Sequence, residues 1–141
     1  MEQEIRKIIE LLCFKNFDIE ADDQRRLYSI HINDEFISKE RLPKLISDLN
    51  KIVRLVAKKQ GLDPVVIDIN NYRRERENLI IELARAAARQ AVATKSPVHL
   101  PAMNAYERRL IHAELSTRPD VKTESIGEGK ERKVVITFIE G

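Results

Sequence analysis

The longest periodic segment of this 141-residue chain is a helical pattern that runs from about Tyr72 to Thr94. Apolar side chains recur there at three- and four-residue spacings, as they do along one face of an α-helix. The stripe is narrow and rich in alanine, and its members are Leu79, Ile80, Leu83, Ala84, Ala87 and Ala91. Asn70 or Asn71 is expected to cap the first turn. The segment therefore predicts a long helix suited to close packing.

The residues before this helix alternate between helical and strand patterns. Gly61 is expected to end the second of two helices, because glycine readily adopts the left-handed backbone of a helix end. The predicted elements, in helix-strand-strand-helix-strand order, are Glu2 to Leu12, Phe17 to Ala21, Arg26 to Ile32, Pro43 to Lys59 and Val65 to Ile69.

The residues after the long helix combine three short strands with one further helix. One strand is predicted near Val98, and two more at about Val121 to Ile126 and Lys133 to Phe138. The turn Gly127-Glu128-Gly129 between the last two predicts a hairpin. The expected fold is α+β, with two small α/β sandwich domains at residues 1–70 and 71–141. The second would pack three short strands with two helices.

The segment from Pro101 to His112, PAMNAYERRLIH, places Arg108 and His112 four residues apart on a predicted helix. Asn104 is expected to cap this helix, with Glu107 reaching back to the N–H of Asn104 as in a capping box.

The apolar stripe of this helix is predicted to be Tyr106, Leu110 and Ala113, with Ile111 and Leu115 widening it. Arg108 and His112 lie about 40° apart beside that stripe, so both are expected to reach solvent. The residues alone leave two interpretations open: a solvated helix face, or a pair that binds a ligand.

The string Pro-x-Met-Asn-x-Tyr-Glu-Arg-Arg-Leu-Ile-His resembles the signature of the bacterial Jag family. Matching features run from about Val65 to Ile136, in the same order and spacing as in the family. Its members are RNA-binding proteins that join a KH domain to an R-3-H domain, which is named for an Arg-x-x-x-His pattern. The resemblance implies that Arg108 and His112 mark the second domain.

The resemblance also implies a KH-like domain over residues 1–70, since bacterial type KH domains share the order of elements predicted there. KH domains hold four nucleotides with a Gly-x-x-Gly loop, and this chain has none. Lys39 to Pro43 stands in its place, where Glu40 adds a negative charge and Pro43 lacks an N–H donor. The expectation is a degenerate KH-like fold that serves packing, dimerisation or a protein partner.

The distribution of charge is more informative than the net charge of +2. Residues 72–118 carry nine Arg or Lys against five Glu, and a local basic excess is typical of a phosphate-binding surface. Pairing of Glu with Arg along exposed helix faces explains the run Arg73 to Glu77 equally well.

Residue types that carry enzymatic chemistry are scattered. His31, His99 and His112 are far apart in the sequence, and Cys13 has no adjacent His. We therefore expect neither an enzyme nor a metal or other cofactor. No apolar run approaches the ~20 residues that a membrane-spanning helix requires, and the single Cys13 excludes an internal disulfide. The cytoplasm is the expected compartment, without a membrane partner.

The expected function is non-catalytic binding of single-stranded RNA, or of single-stranded DNA, with a post-transcriptional role that the resemblance implies. Arg108 would pair with a phosphate or stack on a base, and His112 would donate a hydrogen bond or stack. The predicted nucleic-acid contacts are Arg108, His112, Arg109, Lys95, Arg118, Lys130, Arg132 and Lys133.

The alternative function is a protein-interaction or dimerisation scaffold that works through the KH-like half without its glycine loop. A second small KH protein is a partner that the resemblance implies, and self-association is the other partner expected.

Overall fold

The computed structural model describes residues 1–140, which divide into two compact units. The N-terminal unit comprises Met1–Arg73, and the C-terminal unit begins at Arg74. The predicted α+β class is confirmed, because residues 1–140 form four α-helices and two three-stranded sheets. Within the same residues, no helix combines the length and the apolar character needed to cross a membrane.

The N-terminal unit follows the predicted order of elements. Its sheet has the order β1-β2-β3, with β1 antiparallel and β3 parallel to the central strand β2. The elements are α1 (Glu2–Leu11), β1 (Phe17–Asp22), β2 (Leu27–Ile32), α2 (Leu42–Lys59) and β3 (Val66–Ile69). Gly61 ends α2 as predicted: its φ is +69°, and the next N–H, of Leu62, donates to Ala57 O at 2.9 Å.

Alternation along β1 and β2 gives this sheet a buried and an open face. Phe17 lies opposite Ile32 and Ile19 opposite Ile30 on the buried face. The core beneath them is formed by both helices and all three strands, including Ile5, Ile9, Leu49, Val53, Ile67 and Ile69. The open face of β1 carries Asp18, Glu20 and Asp22.

Two asparagine side chains bond to backbone N–H and C=O groups of strand residues that have no neighbouring strand to pair with. Asn50 on α2 accepts from the N–H of Ile67 at 2.8 Å and donates to its carbonyl at 2.9 Å, which closes the free edge of β3. Asn70 makes the same pair of bonds to Ile32, at 2.8 and 3.0 Å, and so extends the ladder beyond the end of β3. Each amide replaces one residue of a missing strand.

The helix α3 (Tyr72–Thr94) starts differently from the prediction. Asn70 and Asn71 are both left-handed, with φ of 53° and 55°, and the Asn70 amide is committed to Ile32. Asp68 instead accepts from the N–H of Arg73 at 3.3 Å, and its burial raises the pKa of the carboxyl group. Of the two predicted caps, Asn70 is therefore wrong.

The C-terminal unit contains most of α3, followed by β4 (Val98–His99), α4 (Ala105–Leu115), β5 (Val121–Ile126) and β6 (Lys133–Phe138). Its sheet has the order β4-β6-β5 and is antiparallel throughout. The predicted hairpin of β5 and β6 is confirmed. It turns at Gly127, where φ is +90° and a Cβ would lie 3.2 Å from Glu131 O, and continues through a 3-10 turn at Gly129–Glu131.

Both helices of this unit contribute to one apolar core. The α3 stripe is as predicted at its small residues, although Leu79 and Leu83 are exposed rather than buried. The core residues are Ile80, Ala84, Ala87, Ala88, Ala91, Leu100, Met103, Ile111, Leu115, Val121, Val134 and Ile136. Pairing of Val121, Thr123 and Ser125 with Phe138, Ile136 and Val134 places all six on the same face of the sheet. The face of β5 that meets the core thus carries two hydroxyl groups.

Candidate nucleic-acid interface

Asn104 begins α4 as predicted. Its side-chain oxygen accepts from the N–H of Glu107 at 2.9 Å, which satisfies one of the free donors of the first turn. The second half of the predicted capping box is wrong, because the Glu107 carboxylate accepts from Arg76 Nε at 3.2 Å instead. The start of α4 is therefore fixed both by its own cap and by α3.

The buried face of α4 agrees with the prediction at Ile111 and Leu115 and differs from it at Tyr106 and Ala113. Ile111 and Leu115 are the buried residues, whereas Tyr106 is 41% exposed and Ala113 is also exposed. At about 100° per residue, Arg108 and His112 share the face of Ile111 and Leu115. Both side chains are consequently half-buried and reach solvent only in part.

His112 is held between two hydroxyl groups of β5. Its Nδ1 lies 2.5 Å from Thr123 Oγ1, and its Nε2 lies 2.9 Å from Ser125 Oγ. A neutral imidazole has one N–H donor and one acceptor nitrogen, so one hydroxyl accepts and the other donates. Burial lowers the pKa of His112, and the charge of Arg108 lowers it further. The ring is therefore kept neutral and couples α4 to the edge strand β5.

Arg108 lies one turn earlier on the same face and donates from Nη1 to Met103 O at 2.6 Å. This bond uses one of the five guanidinium N–H groups and fixes the direction of the side chain. Arg108 lines a depression of about 490 Å³ that we call the Arg108–Lys130 depression. Its lining residues are Ala102, Met103, Asn104, Ala105, Glu107, Arg108, Gly129 and Lys130.

The chain segments on either side of this depression are joined by a backbone hydrogen bond, and a side-chain bond closes the hairpin turn beside it. The N–H of Met103 donates to Arg132 O at 3.1 Å, and Arg132 Nη1 donates to Gly127 O at 2.8 Å. Lys133 follows as the first residue of β6 and pairs with Ile126. The structure thus brings Arg108, Lys130, Arg132 and Lys133 to the same end of the sheet.

The remaining predicted contacts lie elsewhere in the C-terminal unit. Lys95 Nζ is 6.0 Å from the centroid of the Phe138 ring, at the opposite end of β6 and roughly 17 Å along the strand from Lys133. Arg118 makes two hydrogen bonds to Asp120, at 3.0 and 2.8 Å, and they lower the pKa of that carboxyl group. These two cations are therefore separate from the depression.

Arg109 projects from a different side of α4 from Arg108, as its sequence spacing predicts. Its guanidinium carbon lies 6.0 Å from the centroid of the Tyr106 ring, and both side chains are exposed. Arg109 is thus a neighbour of Arg108 in sequence but does not line the depression.

Sequence reasoning missed the roles of Thr123 and Ser125. The signal was present, because alternation along β5 places these two polar residues on the same side as the buried Val121. Two hydroxyls on the buried side of a strand need polar partners, and His112 is a polar residue of the helix that faces them. Residues 1–140 contain no group of three or more His, Cys, Asp or Glu side chains that could hold a metal ion.

Comparison with known proteins agrees with this architecture. Residues 78–138 match the model of the R-3-H domain family. The RNA-binding protein KhpB of Lactiplantibacillus plantarum is 42% identical over 74 residues, which are 52% of this chain and 23% of the relative. KhpB of Bacillus subtilis is 39% identical over 75 residues, 52% of this chain and 36% of the relative.

A third relative, RNA-binding protein KhpB of Clostridium symbiosum, is 39% identical over 95 residues, 66% of this chain and 43% of its own length. That match is longer than the C-terminal unit and so includes part of the N-terminal unit. The chain spans less than half the length of each of these relatives. Residues 78–138, which include the Arg-x-x-x-His pair on α4, thus match an R-3-H domain, and the chain is similar to KhpB proteins of the Jag family.

Proposed function

We propose that the chain binds single-stranded RNA through the Arg108–Lys130 depression of the C-terminal unit. The observation that carries this proposal is the convergence of Arg108 and Lys130, 22 positions apart in the sequence, on one depression. Arg132 and Lys133 extend the positive charge from the same end of the sheet. Three relatives named as RNA-binding proteins support RNA as the ligand.

Arg108 is suited to bind a phosphate because its orientation is fixed before the ligand arrives. The bond to Met103 O holds one edge of the guanidinium, and the remaining N–H groups can donate to two phosphate oxygens. Lys130 would add a mobile point charge across the depression. The proposal is for binding alone, without a chemical step, and for a post-transcriptional role.

His112 contributes by position in this proposal. Both ring nitrogens are engaged by Thr123 and Ser125, so the imidazole holds the Arg108 face of α4 against β5. Lys95, Arg109 and Arg118 would act as outlying charges that raise affinity without defining the site. In this proposal His112 does not contact the RNA, contrary to the expectation from the sequence, but acts on it indirectly by positioning Arg108.

For the N-terminal unit we propose a degenerate KH-like domain with a protein partner, either a second small KH protein or another copy of this chain. The helix-strand-strand-helix-strand order and the parallel pairing of β2 with β3 support the KH-like fold. The acidic open face of β1 would repel a phosphate backbone. Ile52 and Leu55 on α2 are 45% and 68% exposed and offer apolar surface to a partner. RNA binding remains the leading function of the whole chain.

The test is a titration of fluorescent single-stranded RNA with the native protein, an Arg108→Ala variant and an Arg109→Ala variant. The two variants lose the same charge from adjacent positions of one helix. We expect Arg108→Ala to weaken binding at least tenfold, because a hydrogen bond to a charged group contributes about 1.5–3 kcal/mol. Arg109→Ala should change affinity no more than about twofold. Equal losses in the two variants would contradict the assigned site.

A further inference from the structure

The lining of the Arg108–Lys130 depression combines apolar and cationic side chains. Ala102, Met103 and Ala105 supply the apolar part, while Arg108 and Lys130 supply the charge. A phosphate alone makes no favourable contact with apolar surface, whereas a nucleotide presents the flat faces of its base next to its phosphate. The lining therefore matches one nucleotide of a strand.

Asn104 adds a directional hydrogen-bond donor to this lining. Its Oδ1 is occupied by the N–H of Glu107, whereas its Nδ2 has no acceptor among residues 1–140. Because Asn104 lines the depression, its two amide hydrogens are available to a bound base. The cap bond also holds the amide in one orientation.

Acceptor groups in the same lining are already engaged. The Glu107 carboxylate accepts from Arg76, and its side chain is only 16% exposed. Met103 O accepts from Arg108. The side chains of Asn104, Arg108 and Lys130 thus present donors, while the Glu107 carboxylate of the same lining is ion-paired with Arg76.

We infer that the Arg108–Lys130 depression binds one nucleotide and prefers a keto base, guanine or uracil, over an amino base, adenine or cytosine. Guanine presents the adjacent acceptors N7 and O6, and uracil presents a keto oxygen where cytosine carries an amino group. In place of that keto oxygen, the amino group of cytosine or adenine would face Asn104 Nδ2 donor to donor, with no hydrogen bond between them. Asn104 is then the residue that determines specificity. This inference depends on the proposed RNA site.

The test compares oligouridylate with oligocytidylate of equal length, using the native protein and variants at position 104. Asn104→Ser keeps the helix cap and removes the amide donor, and Asn104→Asp keeps the cap and replaces the donor with an acceptor. The ratio of the two affinities cancels any effect of charge on the shared phosphate backbone. Helix content of each variant is checked by circular dichroism.

We expect the native protein to bind oligouridylate about fivefold more tightly than oligocytidylate. Asn104→Ser should bring the ratio close to one, and Asn104→Asp should invert it. A native ratio of one, or a ratio that neither variant changes, would overturn the inference and leave RNA binding in place. Failure of the native protein to bind either oligomer would overturn the proposed function as well.

Discussion

His112 Nδ1 lies 2.5 Å from Thr123 Oγ1, so the histidine of the Arg-x-x-x-His pair faces the sheet of its own domain. Ser125 engages the other ring nitrogen at 2.9 Å. The pair therefore divides two tasks between its members: His112 positions the helix, and Arg108, one turn away, lines the depression. The spacing of four residues serves both tasks, because it keeps the two side chains on one face of α4.

Replacement of Thr123 by Val should destabilise the C-terminal unit. The substitution keeps the shape of the side chain but leaves a half-buried nitrogen of His112 without its partner, at a cost of about 1–2 kcal/mol. Urea unfolding of Thr123→Val measures this loss. Thr117→Val, at an exposed position after α4, is the matched control and should stay within about 0.5 kcal/mol of the native protein. Equal stability of the two variants would contradict the role of His112 in coupling α4 to β5.

The free energy of unfolding should decrease as the pH is lowered, because of His112. Burial and Arg108 lower the pKa of His112 in the folded protein, so the unfolded chain takes up the proton first. The stabilising contribution is complete above a pH of about 6.5, and it is lost as pH falls from there through the lower pKa of the folded state. Unfolding of the native protein and His112→Asn across this range measures the difference. A constant difference between the two proteins at all pH values would contradict this prediction.

RNA binding should become tighter as pH falls through the same range. Burial lowers the His112 pKa first and the charge of Arg108 second. A phosphate on Arg108 should offset the second effect, so that RNA binding raises this pKa and is coupled to proton uptake. Affinity measured at several pH values and constant salt tests this linkage. The pH dependence of RNA affinity should be absent in His112→Asn. If this variant keeps it, the proton binds to another group.

Removal of the Asn50 amide should destabilise the N-terminal unit. Asn50→Ala leaves both the N–H and the carbonyl of Ile67 without partners at the edge of β3, which should cost about 2–3 kcal/mol. Ser47→Ala, at an exposed position one turn earlier on α2, controls for the effect of alanine on the helix. Comparable unfolding midpoints in denaturant for the two variants would show that the edge is satisfied in another way.

The sequence predicted the elements more closely than their contacts. The bounds of α3, β5 and β6 agree with their periodic patterns, because local alternation and helical spacing determine them. The predicted buried face of α4 was wrong at Tyr106 and Ala113, because apolar residues lie on several sides of this helix and only packing selects among them. Asn70 was one of two residues predicted to cap α3, but its amide bonds Ile32, 38 positions earlier. Such a contact depends on sheet topology, which local patterns do not contain.

The central claim is that RNA binds at one end of the C-terminal sheet, and two variants of equal charge test it. Arg108→Ala/Lys130→Ala removes two cations from the depression, and Lys95→Ala/Arg118→Ala removes two from elsewhere in the same unit. Single-stranded RNA affinity is measured against salt concentration for both variants and the native protein. The depression variant should lose most of its affinity, and its log-log salt slope should become shallower by about 1.4, which corresponds to two lost phosphate contacts. The other variant should keep nearly the native slope. Equal losses of affinity and slope in the two variants would show that RNA follows the net charge of the unit, and would contradict a site at Arg108 and Lys130.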